Sequence, residues 1–185
     1  MVGTIEPRKG HLQVLAAFDR LWAAGADVHL VIVGRQGWTH LPDAERRTIP
    51  GIVNTLTHHP ENENRLFWLE GISDQYLEQV YAAADCLIAA SEAEGFGLPL
   101  IEAAQHTLPI IARDIPVFRE VAGEHAFYFQ GDTPEDLARR ITRWLDLYRR
   151  DQHPRSDAMP WLTWRQSCAQ LVRRMVNAAG DQVLD

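Results

Sequence analysis

Lysine is almost missing from this 185-residue chain: of its 18 basic residues, 17 are arginine and one, Lys9, is lysine. Basic side chains are also outnumbered, 18 against 25 acidic, for a formal net charge of −7. That balance argues against a broad nucleic-acid or anionic-membrane surface, while leaving room for a small local cluster of positive charge. No apolar run reaches the roughly 18 residues a membrane span needs, and no basic, then apolar, then small-residue signal opens the chain. The expectation is a soluble cytoplasmic protein.

Cysteine is scarce as well. Cys86 and Cys168 lack the close spacing of a metal site and read as buried free thiols. The eight histidines are scattered. The adjacent pair His58-His59 precedes Pro60 at a predicted helix end, where side chains at i and i+1 point in different directions. No metal site is read.

What the chain does have is a globular composition, 46% apolar and 23% charged, at the length of one domain. Strand-length apolar runs occur at Val2 to Ile5, Val28 to Val33, Leu66 to Leu69, Cys86 to Ala90, Pro109 to Ala112 and Ala126 to Phe129. Most are continuous rather than alternating, the mark of strands covered on both faces. Helical patterns lie between them. His11, Leu15, Phe18 and Trp22 form one stripe, stopped by Gly25. Leu77, Val80, Tyr81 and Ala84 form another, with Ser73 or Asp74 as a cap. Thr133-Pro134-Glu135-Asp136 opens a third helix, expected to run to about Arg150. The stretch from Trp38 to Glu63 is expected to hold one or two helices, separated near Pro50. Residues 150–160 read as a polar surface connection, followed by a helix with Trp164, Cys168, Leu171, Val172 and Met175 on one face. The architecture implied is a Rossmann-like α/β fold, an open parallel sheet with helices on both faces.

Ligands of such sheets bind outside the carboxyl ends of the strands. Two loops there stand out. Glu6-Pro7-Arg8-Lys9-Gly10 places adjacent cations at a strand-to-helix junction, beside free helix N–H groups, an arrangement that suits an anion such as a diphosphate. On composition alone a solvated charged loop is the more ordinary reading, and its position at a strand end is what favours the anion site. The second loop runs from Ser91 to Ala104 and contains Glu94, Gly95, Phe96, Gly97, Leu98, Pro99 and Glu102. Its glycines let backbone approach a ligand closely, and Pro99 is suited to open a helix. Glu94 on the loop and Glu102, expected in the first helical turn, are placed to accept from sugar hydroxyls. Glu102 can instead simply complement the helix dipole. No G-x-G-x-x-G follows any strand and no G-x-x-x-x-G-K-[ST] occurs, which weakens a nicotinamide-dependent oxidoreductase and a P-loop enzyme alike.

The ordered set of segments resembles a known family. Val2-Gly3-Thr4-Ile5-Glu6-Pro7-Arg8-Lys9-Gly10, Leu30 to Gly34, Leu69-Glu70-Gly71-Ile72-Ser73-Asp74, Glu94-Gly95-Phe96-Gly97-Leu98-Pro99-Leu100-Ile101-Glu102-Ala103 and Glu120-Val121-Ala122-Gly123 are similar to the C-terminal, donor-binding half of retaining glycosyltransferases. These are the GT-B enzymes of family 4, in particular bacterial mannosyltransferases. The departures are Thr107, where the family commonly has glycine, and Ala93, where it has an aromatic residue.

The resemblance implies a nucleotide-sugar-binding domain over residues 1–150, and a linker and C-terminal helix over 151–185 that would pack toward a missing N-terminal acceptor domain. It implies transfer of a hexose, expected to be mannose from GDP-mannose, to a saccharide or lipid-linked acceptor, without metal or other cofactor. Arg8, Lys9 and Glu94 would form the catalytic set, with Arg8 and Lys9 binding the donor diphosphate and stabilising the charge that develops on it as the glycosidic bond breaks. The backbone of Gly95, Phe96, Gly97 and Leu98 would contact the sugar and distal phosphate, with Glu94 on the sugar hydroxyls. Glu102 would hold the ribose, the main chain near Ile72 would border the base, and Gly3 belongs to the donor-binding set. The expected partners are the donor and the acceptor domain, with no nucleic acid and no membrane span. The full-length enzyme is expected in the cytoplasm or peripherally at the inner face of the membrane. The alternative is a non-catalytic nucleotide-sugar-binding or regulatory module acting with a separate subunit.

Overall fold

A computed structural model describes residues 1–180, so residues 181–185 of the expected C-terminal segment lie outside the described residues. Among the described residues, five strands run between seven α-helices. The order is α1 (His11–Ala23), β1 (Leu30–Val33), α2 (Ile49–His58), β2 (Leu66–Leu69), α3 (Asp74–Ala83), β3 (Leu87–Ala89), α4 (Leu98–Gln105), β4 (Ile110–Arg113), α5 (Pro116–Ala122), β5 (Phe127–Phe129), α6 (Pro134–Arg149) and α7 (Trp164–Gly180). Every pairing between these strands is parallel, with Leu30 opposite Leu66, Leu87 opposite Ile110, and Ile111 opposite Phe127. A helix follows each strand, which is how parallel neighbours must be connected.

The single open sheet expected from the apolar runs is divided. β1 pairs with β2, and β3, β4 and β5 form a second sheet. The run from Val2 to Ile5 lies along β1 as isolated bridges, Val2 to Val33 and Ile5 to Gln36, rather than as a continuous strand. Its amides still donate in register, Gly3 to Val33 and Ile5 to Arg35, each at 2.9 Å. The two sheets share a core, because α1 and α6 lie together across both. Val14, Phe18 and Leu21 of α1 and Leu137, Ile141 and Trp144 of α6 bury against Leu30 and Ile32 on one side and Ile88 and Ile111 on the other. A cavity of about 560 Å³ is lined from both sheets by Met1, Val2, Leu30, Leu87 and Trp144. A second core joins α4 and α5 to β3 and β4 around Leu100, Ile110 and Phe118.

The caps explain where the helices start. Ser73 Oγ accepts from the Tyr76 amide at 3.2 Å, and Thr133 Oγ1 accepts from the Asp136 amide at 3.2 Å, each satisfying a first-turn N–H. Pro50 does not separate two helices. It stands in the first turn of α2, where its missing N–H costs nothing, and only a short 3₁₀ turn, Asp43–Glu45, precedes it. The connection before α7 is less superficial than its polarity implies. Ser156, 1% exposed, donates to the Leu108 carbonyl at 2.8 Å, and Met159 is buried in the second core. Cys168 is exposed, not buried, because α7 leaves Trp164, Leu171, Val172 and Met175 of its apolar stripe in solvent. Among the described residues no helix is long and apolar enough to cross a membrane.

Candidate functional site

Parallel strands put all carboxyl ends on one edge, and the loops that leave that edge carry the site. The first turns through a 3₁₀ segment, Pro7–Lys9, into α1. Gly10 joins the two at φ 75°, and a Cβ there would lie 2.3 Å from the Ala90 carbonyl oxygen at the end of β3. Only glycine permits both the backbone angle and that approach. The Glu92 amide then donates to the Arg8 carbonyl at 2.8 Å, so main chain knits the two loops together.

Side chains complete the junction. Lys9 Nζ meets Glu94 Oε1 at 2.5 Å, and Arg8 meets Glu94 Oε2 at 2.8 Å. Arg8 also donates to the Ala93 carbonyl at 3.0 Å and pairs with Glu6 at 3.0 Å. Ser91 Oγ donates to Glu94 Oε1 at 2.7 Å. Two cations and two carboxylates thus cancel formally. Burial raises the Glu94 carboxyl, but the hydrogen bonds from Lys9, Ser91 and Arg8 outweigh it and hold it below the usual carboxylate range. The bond to Glu94 does most to raise the Arg8 guanidinium. Lys9 and Glu94 have side chains 12% and 10% exposed, whereas that of Arg8 is 44% exposed, so Arg8 is the member with room to turn.

The remaining expected residues are placed unequally. Gly3 belongs to the cluster, since a Cβ on it would stand 3.4 Å from Lys9 Nζ. Gly97 caps α4 in the left-handed region, φ 89°, and a Cβ on it would stand 3.0 Å from the Phe118 ring. Gly95, Phe96 and Leu98 are exposed around it. Ile72 is half-buried in the loop after β2, with no hydrogen bond to the cluster among the described residues. Glu102 lies in the second turn of α4, not the first, because that helix begins at Leu98. Its carboxylate accepts from Tyr81 Oη at 2.7 Å and does not reach Arg8 or Lys9.

Four contributors were not evident beforehand. Ser91 and Glu6 share the ion cluster, and Tyr81 holds Glu102. Arg113, 7% exposed, donates to the Ala90 carbonyl at 3.0 Å, to the Gly131 carbonyl at 3.1 Å, to Asp132 at 2.9 Å and to Gln13. It thereby ties β3, β5 and α1 behind the two loops, and each of its three guanidinium nitrogens has a hydrogen-bond partner. The only advance signal was an arginine closing an otherwise apolar run. His11, the first residue of α1, is 1% exposed and neither ring nitrogen has a partner. Burial above all lowers its pKa to about 4, so it is neutral beside the cluster.

Parallel sheets flanked by helices define a Rossmann-like domain, and its solved neighbours are GT-B glycosyltransferases. Sucrose-phosphate synthase from Thermosynechococcus elongatus superposes with a TM-score of 0.70 at 24% identity, over 96% of this chain and 45% of that one. A glycosyltransferase from Rickettsia africae gives 0.62 at 25% identity, over 80% of this chain and 37% of that one.

The chain belongs to the family described as glycosyl transferases group 1, whose pattern matches residues 1–158. It is 52% identical over 175 residues to the serotype-specific mannosyltransferase WbdA of Escherichia coli, a match covering 95% of this chain and 20% of that protein. Over 124 residues it is 28% identical to the O-antigen chain mannosyltransferase B of Escherichia coli, covering 66% of this chain and 30% of that protein. The chain therefore spans about a fifth of the length of the WbdA relative.

Proposed function

We propose that this chain is the donor-binding half of a retaining glycosyltransferase that transfers mannose from GDP-mannose to a saccharide or lipid-linked acceptor without a metal. The observation that carries the reading is the convergence of Arg8, Lys9 and Glu94 at the carboxyl edge of the strands. Similarity to WbdA supports mannose as the sugar.

Glu94 pairs with both cations. A diphosphate carries more charge than one carboxylate, so it displaces Glu94 from Arg8 and Lys9. The released carboxylate then accepts from hydroxyls of the sugar, and the backbone from Gly95 to Leu98 borders the sugar and distal phosphate. Glu102 receives the ribose, the main chain at Ile72 borders the base, and Gly3 leaves space beside Lys9. As the bond between sugar and diphosphate lengthens, negative charge grows on the leaving group, where both cations lie. Their attraction strengthens in the transition state, so they contribute to rate beyond ground-state binding.

The exposed stripe of α7, with Trp164, Leu171, Val172 and Met175, packs in this reading against an acceptor-binding half carried elsewhere. Transfer needs that half, so the chain alone is expected to bind donor and not to transfer. Calorimetry with GDP, UDP and ADP tests the reading, with GDP expected to bind tightest. No binding of any nucleotide contradicts the site assignment, and transfer by this chain alone to a saccharide contradicts the division of labour.

A further inference from the structure

Glu102 is held from outside the ion cluster. Tyr81, in the last turn of α3, is 4% exposed and donates to Glu102 Oε2 at 2.7 Å. Among the described residues no other hydrogen bond reaches that carboxylate. The donor is itself fixed: its ring stacks on His106 with centroids 5.4 Å apart and planes 12° apart, and His106 Nε2 lies 2.7 Å from Glu78. Burial, and then the bond to Glu102, keep the phenol far above its ordinary pKa, so it remains a donor throughout the working range. A glutamate on a helix surface otherwise samples several rotamers, and immobilising one costs free energy at the moment of binding.

We infer that Tyr81 is a positioning residue: its hydroxyl fixes one oxygen of Glu102 so that the other is presented to a ribose hydroxyl. The inference rests on the reading of Glu102 as the ribose acceptor. It gives Tyr81 a specific consequence, discrimination of ribonucleotides from deoxyribonucleotides, that a purely structural tyrosine would not have.

The test is calorimetry on this chain with GDP and with 2′,3′-dideoxy-GDP. The wild type is expected to prefer GDP by about tenfold or more, the size of a hydrogen bond to a charged acceptor. Tyr81→Phe deletes one oxygen and keeps the ring stack. It should cut that preference at least threefold while leaving affinity for the dideoxy nucleotide unchanged. Glu102→Gln should cut it as well. If Glu102→Gln lowers the preference and Tyr81→Phe does not, the positioning role is overturned and the ribose reading stands. If neither variant lowers it, or the wild type binds both nucleotides equally, the ribose reading falls and the inference with it.

Discussion

Lys9 and Glu94, 85 residues apart in sequence, meet at 2.5 Å where two strand-end loops cross. In the proposed mechanism this contact is a placeholder: the carboxylate neutralises the cation until a diphosphate arrives, then turns to the sugar. Glu94→Gln separates the two duties. Without the competing charge, GDP should bind about threefold tighter. GDP-mannose should lose at least fivefold of whatever advantage it holds over GDP, because an amide is a weaker acceptor than a carboxylate. Paired titrations of both ligands check this.

His11 predicts a mild acid sensitivity. Its folded pKa of about 4 lies below the ordinary 6.5, so the folded state favours the neutral ring. The stability this provides is complete above pH 6.5 and is lost progressively as pH falls toward 4, by about 3 kcal/mol over the whole window. Asp114, held to about 2 by the hydrogen bond from Arg119, is depressed from 3.8 and acts only at lower pH, as pH falls from 3.8 toward 2. Urea midpoints should therefore decline between pH 6.5 and 4, and His11→Phe should flatten that decline.

Thr107 predicts an easy gain. It follows α4 at φ 54°, while the Leu108 amide returns to the Ala103 carbonyl at 2.9 Å. This is a helix ending that favours glycine, and a β-branched residue is strained there. Thr107→Gly should raise stability by about 1 kcal/mol, read from denaturant unfolding.

Much of the architecture was legible because both-face burial leaves continuous apolar runs, as in Cys86 to Ala90 with Leu87–Ala89 all buried, and because caps such as Ser73 and Thr133 act locally. Val28 and His29 fall outside β1, and Val2 to Ile5 pair only as bridges, since ladder extent depends on a neighbour as well as on the strand's own residues. Arg8, Lys9 and Glu94 could be picked out because strand-end loops are where ligands go. Their mutual pairing could not, since it depends on Gly10 pressing against Ala90. Ser91, Tyr81 and Arg113 were illegible for a related reason: each acts through one hydrogen-bonding group on a partner remote in space or character, with no spacing rule to announce it. Cys168 was misplaced because a helical apolar stripe shows that a face is to be covered, not whether it is covered here.

The proposed site depends above all on Lys9, the single lysine of the chain, meeting a nucleotide diphosphate. Calorimetry of GDP against the wild type, Lys9→Ala and Arg150→Ala tests it most directly. Binding should weaken at least tenfold for Lys9→Ala, the scale of a charge-assisted contact, and show no measurable change for Arg150→Ala at the exposed end of α6. Equal affinity of the Lys9→Ala and wild-type chains would contradict it.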